Sequence, residues 1–527
     1  MKTWRDISAL YQIYPRSFRD TNGDGVGDIN GIIEKLDYLV ELNIEAIWLS
    51  PIYLSPQADC GYDITDYYTI DPLFGTMRDM EKLIAQCHER GLKIVMDYVP
   101  NHTSDQHAWF MSAKASKHSP YRNYYVWRDP KPDGSAPTNW VSMAGGSSWT
   151  FDEASGQYYL HSFMSSQPDL NWDNPAVRSD MHDVLRFWLD KGIDGFRVDA
   201  SWPISKVLKD DPVNEQNHDS TNMYARYVHT SCQQGPHMLR YMREMTDVVA
   251  SYRDRFMIFE YYTSPEYGDE IDQYAAIASL NPSVAAPFVF DLFRLDWHAD
   301  DRSKRMERLY AQLPRQAYPV HCLGNHDQSR VRTRFGHMQA RALALVQLSL
   351  PGLPTVYYGD EIGMSDYQVA TSDKRDNFTE GGGMGGRDPE RTPMRWQSSK
   401  NAGFSTAKPW LPIGDKVESI NVEAQLAKDD SYIVLYQQLL HLRKQHAALR
   451  TGRYESIPQS GYCLAYRVRG NGGRSFVVAM NFSDQPQAAY IAGRGAVIVS
   501  SQAIQRHSYH QDSIDLQPYE AVLLDQG

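Results

Sequence analysis

The chain has 527 residues, of which 42% are hydrophobic and 22% are charged. This length and composition are typical of a folded protein of two to four domains and exclude wholesale disorder. The formal net charge of −12 argues against a nucleic-acid partner, because binding to the phosphate backbone needs a basic surface.

Short apolar runs alternate with helical patterns over the first 450 residues. One helix is predicted from the apolar spacing of Ile32–Leu42. Another begins with a capping box at Thr76 and Asp79, and a third begins at Asn174. The eight predicted strands are Ala9–Tyr14, Ala46–Leu49, Leu92–Val99, Gly195–Asp199, Phe256–Glu260, Pro287–Leu292, Val320–Gly324 and Thr355–Tyr358.

Alternating strands and helices predict a parallel sheet, and eight such units predict a (β/α)8 TIM barrel of the α/β class. A doubly wound sheet is the competing architecture, and the number of strands does not exclude it.

Two segments interrupt the alternation. Residues 104–170 follow the third strand and are irregular and aromatic, which predicts an inserted loop-rich subdomain. After residue 452 hairpin signals replace the helical pattern, so residues 453–527 are predicted to form a C-terminal antiparallel β-sandwich domain. The barrel would then comprise residues 1–103 and 171–452. The glycine run Gly381–Gly386 is predicted to be a flexible loop.

Carboxylates occur at the ends of four predicted strands, as Asp97, Asp199, Glu260 and Asp327. Catalytic groups of barrel enzymes lie at this end of the strands. Taken singly, each carboxylate could simply cap the following helix. A cluster of buried carboxylates is costly, however, and glycoside hydrolysis is one chemistry that requires it.

The surroundings of two of these carboxylates suggest different protonation states. Glu260 follows four apolar residues, and an apolar environment would raise its pKa, as a general acid requires. Asp199 shares a strand face with Arg197, whose guanidinium is expected to keep Asp199 ionised, as a nucleophile requires.

Four motifs in chain order resemble glycoside hydrolase family 13, the α-amylase family, and within it the α-glucosidase and oligo-1,6-glucosidase branch. They are DYVPNHTS at 97–104, GFRVDA at 195–200, FEYYTS at 259–264 and GNHDQSR at 324–330. The resemblance extends through the insert to RTPMRW at 391–396 and more weakly into the C-terminal region.

The resemblance implies a role for each matching residue. Asp199 matches the nucleophile, Glu260 the general acid/base and Asp327 the third carboxylate, which binds sugar hydroxyls. Asp97 is expected to support these groups from behind. The expected substrate-binding residues are Asp59, Tyr62, His102, Phe163, Gln167, Arg197, His326 and Arg391.

The implied activity is that of a retaining exo-acting α-glucosidase that releases terminal glucose from short oligosaccharides and α-glucosides. A transglucosidase or a trehalose- or sucrose-type isomerase on the same carboxylates is the alternative, and a non-catalytic member is a third. Ala200 stands where relatives that favour α-1,6 bonds tend to carry Val and maltase-like ones Thr, so it leaves the linkage open. The polar segment Ser201–Asn222 is expected to fold over the mouth and to restrict substrates to short sugars.

A loop after the first strand spaces oxygen ligands at alternate positions, as an EF-hand loop begins. The glutamate expected at its twelfth position is Gly31, so an EF-hand domain is not predicted. The resembling branch carries one calcium or magnesium ion here, while an acidic turn without an ion is the alternative. A structural calcium or magnesium would be held by Asp20, Asn22, Asp24, the Val26 carbonyl and Asp28.

The remaining features favour a soluble cytoplasmic enzyme. Five scattered cysteines lack CxxC spacing and predict reduced thiols, neither a disulfide framework nor a zinc site. No signal peptide or apolar run of 18 residues is present, so no membrane anchor is expected. We expect no organic cofactor, a small oligosaccharide or α-glucoside as the substrate, and a monomer or homodimer.

Overall fold

The computed structural model describes residues 3–262, 269–290, 292, 297–378, 386–502 and 508–527. The predicted loop Gly381–Gly386, apart from its last residue, and the end of the FEYYTS motif lie outside the described residues.

The described strands, in chain order, are β1 (Leu10–Ile13), β2 (Ala46–Leu49), β3 (Tyr53–Leu54), β4 (Asp66–Ile70), β5 (Lys93–Tyr98), β6 (Trp127–Arg128), β7 (Trp149–Asp152), β8 (Gln157–Leu160), β9 (Gly195–Val198), β10 (Phe256–Phe259), β11 (Ala285–Val289), β12 (Val320–Cys322), β13 (Leu353–Tyr357), β14 (Arg453–Ser456), β15 (Cys463–Arg469), β16 (Ser475–Asn481), β17 (Gln487–Ser500), β18 (Tyr509–Leu516) and β19 (Ala521–Asp525).

Eight parallel strands close into a barrel in chain order, which confirms the predicted fold. They are β1, β2, β5, β9, β10, β11, β12 and β13. Each coincides with a predicted strand, although β11 begins two residues before the predicted Pro287 and ends at Val289.

The described α-helices are α1 (Ile29–Glu34), α2 (Leu36–Glu41), α3 (Met77–Glu89), α4 (Ala108–Ala115), α5 (Pro175–Asp190), α6 (Met238–Ala250), α7 (Glu270–Ala278), α8 (Ala299–Gln312), α9 (Val331–Phe335), α10 (His337–Ser349), α11 (Val422–Leu426), α12 (Tyr432–Gln445) and α13 (Ala447–Thr451). None of these described helices combines the length and the hydropathy that crossing a bilayer requires.

The predicted helix boundaries follow from local chemistry. The Thr76 hydroxyl and the Asp79 carboxylate form the capping box that begins α3, and the Asn174 side chain caps α5. Gly91, shortly after α3, has φ of +71°, a conformation that glycine adopts without strain. The single helix predicted at Ile32–Leu42 is instead two short helices, α1 and α2, separated at Lys35.

The predicted insert lies between β5 and α5 and contains the small antiparallel sheet β6–β8–β7. A bridge between His102 and Asp169 attaches it to the barrel, and a bridge between Tyr125 and Leu170 lies within it. An earlier hairpin, β3–β4, carries Asp59 and Tyr62 in its loop.

The C-terminal domain is antiparallel, as predicted. Its described residues form one hydrogen-bonded six-stranded sheet in the order β14-β15-β16-β19-β17-β18. The long, bulged strand β17 pairs with β18 along its first part and with β19 along its last residues. The sandwich arrangement of this domain stays a prediction. The sheet is anchored on α10, where the Tyr466 hydroxyl donates to the Val346 carbonyl.

Candidate active site

Three strand-end carboxylates converge on one buried guanidinium. Arg197 lies on β9 and is fully buried, with Nη1 3.0 Å from Asp97 and 2.5 Å from Asp199. Its Nη2 lies 2.6 Å from Glu260, which follows β10. We call these four residues the Arg197 cluster. The parallel register places their strand ends side by side, so one cation serves three acids.

A second cluster has more positive charge for the same number of carboxylates. Arg387 donates to Asp59 at 2.5 Å, to Asp327 at 3.1 Å and, through two nitrogens, to Asp376. Arg391 donates to Asp327 at 2.9 Å. We call these five residues the Arg387 cluster, in which two guanidinium groups serve three carboxylates.

Both clusters border one cavity of about 380 Å³. Of the predicted site residues, the following line it: Asp59, Tyr62, His102, Phe163, Asp199, Glu260, His326 and Asp327. The other three lie behind the lining. Arg197 contacts Asp199 and Arg391 contacts Asp327 from the protein side, and Gln167 donates to Asp59 at 2.9 Å.

The protonation of the Arg197 cluster is dominated by burial. Burial raises the pKa of Glu260 to about 7, Arg197 opposes this, and Asp327 and Asp97 add to it. This agrees with the expected general acid. Burial also raises the pKa of Asp199 well above its usual range, although Arg197 lowers it. Arg197 thus favours the ionised form of Asp199, as expected, but burial outweighs it, because one guanidinium is shared among three buried acids.

Asp199 and Glu260 consequently titrate as a pair. When two buried carboxylates repel each other, losing the first proton makes losing the second harder. Near neutral pH this favours one proton on the pair. That is the state in which one carboxylate can attack while the other donates a proton.

The Arg387 cluster behaves differently. Burial works against the ionised form of Asp327, but the Arg387 and Arg391 guanidinium groups overcome it and hold its pKa well below the usual range. The pKa of Asp376 is lowered in the same way, since the Arg387 guanidinium overcomes burial. This end of the cavity therefore presents ionised carboxylates, which are strong hydrogen-bond acceptors for hydroxyl groups.

Tyr62 connects the two clusters. Its hydroxyl donates to Asp97 at 2.9 Å and lies 2.6 Å from Nε2 of His326, and its ring stacks on the His326 ring at 5.3 Å. Burial lowers the pKa of His326 well below its usual value, so the ring is neutral. Since Gln12 donates to Nδ1 at 2.8 Å, Nε2 carries the proton and donates to Tyr62.

Insert residues complete the wall beside Asp59. The Phe163 ring packs on His102 at 5.1 Å, and Gln167 lies 3.1 Å from Nε2 of His102. Burial lowers the pKa of His102 to about 4, so it too is neutral at physiological pH. Neutral histidines and ionised carboxylates suit the recognition of an uncharged sugar.

The most important residue absent from the sequence prediction is Arg387. It stands four residues before Arg391, and its partner Asp59 is 328 positions away in the chain. An arginine in a Gly- and Pro-rich loop has the same pattern as a solvated surface residue. Only its position beside RTPMRW could have signalled it.

The segment after β9 also contributes to the cavity. Its residues Trp202, Asn222, Tyr224, His229 and Gln233 line the cavity, together with Tyr262. The predicted covering segment Ser201–Asn222 therefore does reach the cavity, but its lining part continues to Gln233. Ala200, at its start, has φ of +41° and donates its N–H to Glu260 at 2.9 Å. A β-branched Val or Thr would be strained in that conformation.

The predicted metal loop is folded by its own side chains. Asp20 accepts the N–H groups of Gly23 and Gly25, and Asp24 accepts that of Val26. Asp28 accepts the N–H of Thr21 and caps α1. The partners described for the three aspartates are neutral N–H, amide and hydroxyl groups. Three carboxylates with neutral partners are a suitable donor set for a hard divalent cation.

Comparisons with known proteins agree with this geometry. The family model "Alpha amylase, catalytic domain" matches residues 12–452. An oligo-1,6-glucosidase from Heyndrickxia coagulans is 40% identical, and the match covers 92% of this chain and 93% of the relative. An α-glucosyl transfer enzyme, XgtA, superposes over the full length of both chains with a TM-score of 0.92 and 34% identity. The trehalulose synthase MutB from Pseudomonas mesoacidophila MX-45 gives a TM-score of 0.88 with 36% identity over 99% of both chains.

Proposed function

The chain belongs to the α-amylase family, glycoside hydrolase family 13, and from this premise we propose that it is a retaining, exo-acting α-glucosidase. It releases terminal non-reducing α-linked glucose from short oligosaccharides and α-glucosides. The observation that supports this most strongly is that one cavity is bordered by two clusters of carboxylates, whose pKa values are raised in the Arg197 cluster and lowered, for Asp327 and Asp376, in the Arg387 cluster. The Arg197 cluster supplies the acid and the nucleophile, and the Arg387 cluster binds the sugar.

In the first step the ionised Asp199 attacks the anomeric carbon while Glu260 donates its proton to the glycosidic oxygen. The bond to the leaving group breaks, and its electrons stay on the oxygen that has just been protonated. The product is a covalent glucosyl-enzyme. Asp199 and Glu260 contact neighbouring nitrogens of one guanidinium, so they lie close together, as a retaining mechanism requires (roughly 5–5.5 Å).

In the second step Glu260 acts as the base. It takes a proton from water, the oxygen attacks the anomeric carbon, and Asp199 leaves as a carboxylate. Glucose is released with its configuration retained, and Glu260 is protonated again for the next cycle.

The exo action rests on the Arg387 cluster. Asp59 is ion-paired with Arg387 and accepts a hydrogen bond from Gln167. These hydrogen-bonded side chains fill the space beyond a terminal sugar. A chain that continued past this point would have to break these buried ion pairs, at a cost of about 3–5 kcal/mol. Hydroxyls of a terminal glucose can instead donate to Asp59 and Asp327.

A transglucosidase or a sucrose-type isomerase is the second candidate. It is supported by the structural similarity to XgtA and to the trehalulose synthase, and by the aromatic residues Trp202, Tyr224 and Tyr262 on the cavity wall. Aromatic faces can hold a sugar acceptor against the glucosyl-enzyme, so that its hydroxyl takes the place of water.

A time course of digestion separates these activities. Maltose, isomaltose, sucrose and trehalose are each supplied at low and high concentration, and the products are resolved by chromatography. Glucose that accumulates in proportion to cleavage supports the hydrolase and ranks the linkages. New oligosaccharides or isomerised disaccharides assign the enzyme to transfer, and absence of products from all four substrates contradicts both proposals. Full activity on long maltodextrins would contradict the covering role of residues 201–233.

We also propose a structural calcium or magnesium ion in the loop of Asp20, Asn22, Asp24, Val26 and Asp28. Side-chain oxygens and the Val26 carbonyl would hold it. The ion would stabilise the loop by neutralising the negative charges of its three carboxylates. Chelation with EDTA should lower Tm by several degrees in the wild type and by much less in Asp24→Asn, and added calcium or magnesium should restore it. An unchanged Tm would favour an acidic turn without an ion.

The cellular setting is part of the same proposal. Small oligosaccharides as substrates, reduced cysteines and the bacterial oligo-1,6-glucosidase relative support a cytoplasmic enzyme that is a monomer or homodimer. Light scattering on the purified protein distinguishes the two oligomeric states.

A further inference from the structure

A second cluster of possible metal ligands lies in the segment after β9, away from the loop of Asp20. Asp211, His229 and Cys232 place three ligand atoms of different elements within 4.8 Å of one another. Asp211 and His229 are buried, and Cys232 is half-buried. The catalytic steps proposed above do not use Asp211 or Cys232.

The spacing of the ligand atoms suits a small tetrahedral ion. Nδ1 of His229 lies 3.5 Å from Sγ of Cys232 and 3.7 Å from Oδ2 of Asp211. Zinc bonds of about 2.0–2.3 Å at tetrahedral angles separate neighbouring ligand atoms by roughly 3.3–3.8 Å. The two separations therefore fall within the range that zinc requires.

The outer hydrogen bonds are those that orient metal ligands. Nε2 of His229 lies 2.8 Å from the Tyr224 carbonyl and must donate to it, which leaves a lone pair on Nδ1, facing Cys232 and Asp211. Oδ1 of Asp211 accepts the Ser231 N–H at 2.7 Å, which leaves Oδ2 to face His229. Ligating histidines and carboxylates in zinc proteins are held in this way.

Oδ2 of Asp211 provides an independent indication of a ligand. It is a fully buried carboxylate oxygen without a hydrogen-bond partner in the part of the chain that the structure describes. Leaving such an oxygen unpaired destabilises the folded state. Among the described residues, the Cys232 thiol and Nδ1 of His229 face this oxygen. With the imidazole neutral, the single thiol proton cannot serve both Oδ2 and Nδ1. A cation between the three atoms would satisfy all of them.

We propose that Asp211, His229 and Cys232 form a zinc site with water as the fourth ligand. The thiolate, imidazole and carboxylate set selects a borderline-soft ion such as Zn²⁺ over calcium or magnesium, which prefer oxygen alone. The protein supplies three of the four ligands, and water occupies the remaining position.

The position of this site suggests what the ion does. Asp211 begins a loop that returns at His229, and Asn222 and Tyr224 of that loop line the active-site cavity. The Tyr224 ring also stacks on the His229 ring at 3.6 Å. The far side of Asp211 is held by Asn139 of the insert through two 2.7 Å hydrogen bonds. Zinc would therefore fasten the covering segment at its base and order one wall of the cavity.

The test is zinc binding to the full-length protein after removal of metals by chelation. Competition with a chromogenic chelator should give one tight site for each chain, and Cys232→Ser should weaken it by about 100-fold or more. Cys463→Ser, in the C-terminal sheet, is the matched control and should bind zinc like the wild type. Equal zinc binding by wild type and Cys232→Ser, or none by the wild type, would overturn the proposal.

Two further measurements locate the ion. Cobalt substitution should give a thiolate-to-cobalt absorption band in the wild type and in Cys463→Ser but not in Cys232→Ser. Zinc should also slow backbone hydrogen exchange over residues 201–237, and Asp211→Asn should abolish that protection. Asp199→Asn should keep the site, because its ligands are separate from the catalytic carboxylates; loss of zinc there would place the ion in the active site and refute the assignment.

Discussion

The two ends of the active-site cavity use the same kinds of side chain with opposite results. In the Arg197 cluster one guanidinium is shared by Asp97, Asp199 and Glu260, and burial raises the pKa of all three. In the Arg387 cluster the two guanidinium groups hold the pKa of Asp327 and Asp376 down. The ratio of cations to carboxylates thus decides whether an acid stores a proton or accepts hydrogen bonds.

This comparison assigns the chemistry to one end and sugar recognition to the other. A general acid must be protonated at the working pH, so it gains from a shortage of cations. A carboxylate that accepts hydrogen bonds from hydroxyls must be ionised, so it gains from a larger share of cations.

Replacing the nucleophile should have the largest effect. We expect Asp199→Asn to lower kcat by about 10⁴-fold or more, because the amide cannot form the glucosyl-enzyme. The variant should stay folded with an equal or higher Tm, since it removes a carboxylate that burial destabilises. Kinetics with an aryl α-glucoside and thermal unfolding measure both effects. Near-normal turnover would refute the mechanism.

The matched variant at the other end is Asp327→Asn. If Asp327 mainly binds the sugar, this variant should raise KM more than Asp199→Asn does and should leave measurable turnover. Equal loss of kcat in the two variants would contradict the division between the clusters.

Removing the shared cation of the recognition end should destabilise the fold. In Arg387→Met the carboxylates Asp59, Asp327 and Asp376 lose a common partner, and breaking buried ion pairs costs about 3–5 kcal/mol. We therefore expect a lower urea midpoint and a higher KM. Arg387→Lys keeps the charge without the fork of donors and serves as the control, with an intermediate loss. An unchanged midpoint in Arg387→Met would mean that Arg391 alone neutralises this end.

The two clusters should also affect stability with opposite dependence on pH. The pKa of Glu260 is about 7 in the folded protein and about 4.5 when unfolded, so its ionisation destabilises the fold as pH rises between these values. The pKa of Asp376 is lowered on folding, so its contribution is present above about pH 4 and is lost as pH falls.

At pH 8 we therefore expect Glu260→Gln to raise Tm by a few degrees and Asp376→Asn to lower it. The gain in Glu260→Gln should shrink on going from pH 8 to pH 5, whereas the loss in Asp376→Asn should persist. Thermal unfolding of both variants and the wild type at the two pH values provides the measurement. Shifts of the same sign at pH 8 would contradict the assigned charge states.

The smallest effect concerns the contact between the clusters. Tyr62→Phe removes the hydroxyl that donates to Asp97 and accepts from His326, but keeps the ring stacked on His326. A lost buried hydrogen bond of this kind costs about 1–2 kcal/mol, so kcat/KM should fall by about tenfold. Tyr53→Phe, which removes a hydroxyl that donates to the Asp97 carbonyl, is a suitable control with an expected smaller effect. Equal losses would show that Tyr62 acts only through Asp97.

Local patterns in the sequence determined the barrel and the positions of the strand-end carboxylates. Apolar runs placed the strands, the capping box at Thr76 and Asp79 placed a helix start, and the four motifs placed Asp199, Glu260 and Asp327 at strand ends. These features depend on residues close together in the chain, which is why a single sequence reveals them.

Tertiary structure decided how these groups are charged and what surrounds them. The raised pKa of Asp199 depends on how many acids share Arg197, and the role of Arg387 depends on Asp59, 328 positions away. No sequence pattern marks Cys232 as a possible metal ligand; only the fold brings it beside Asp211 and His229. The burial of a side chain and its ion pairs depend on neighbours from distant parts of the chain, so they are determined only in the folded protein.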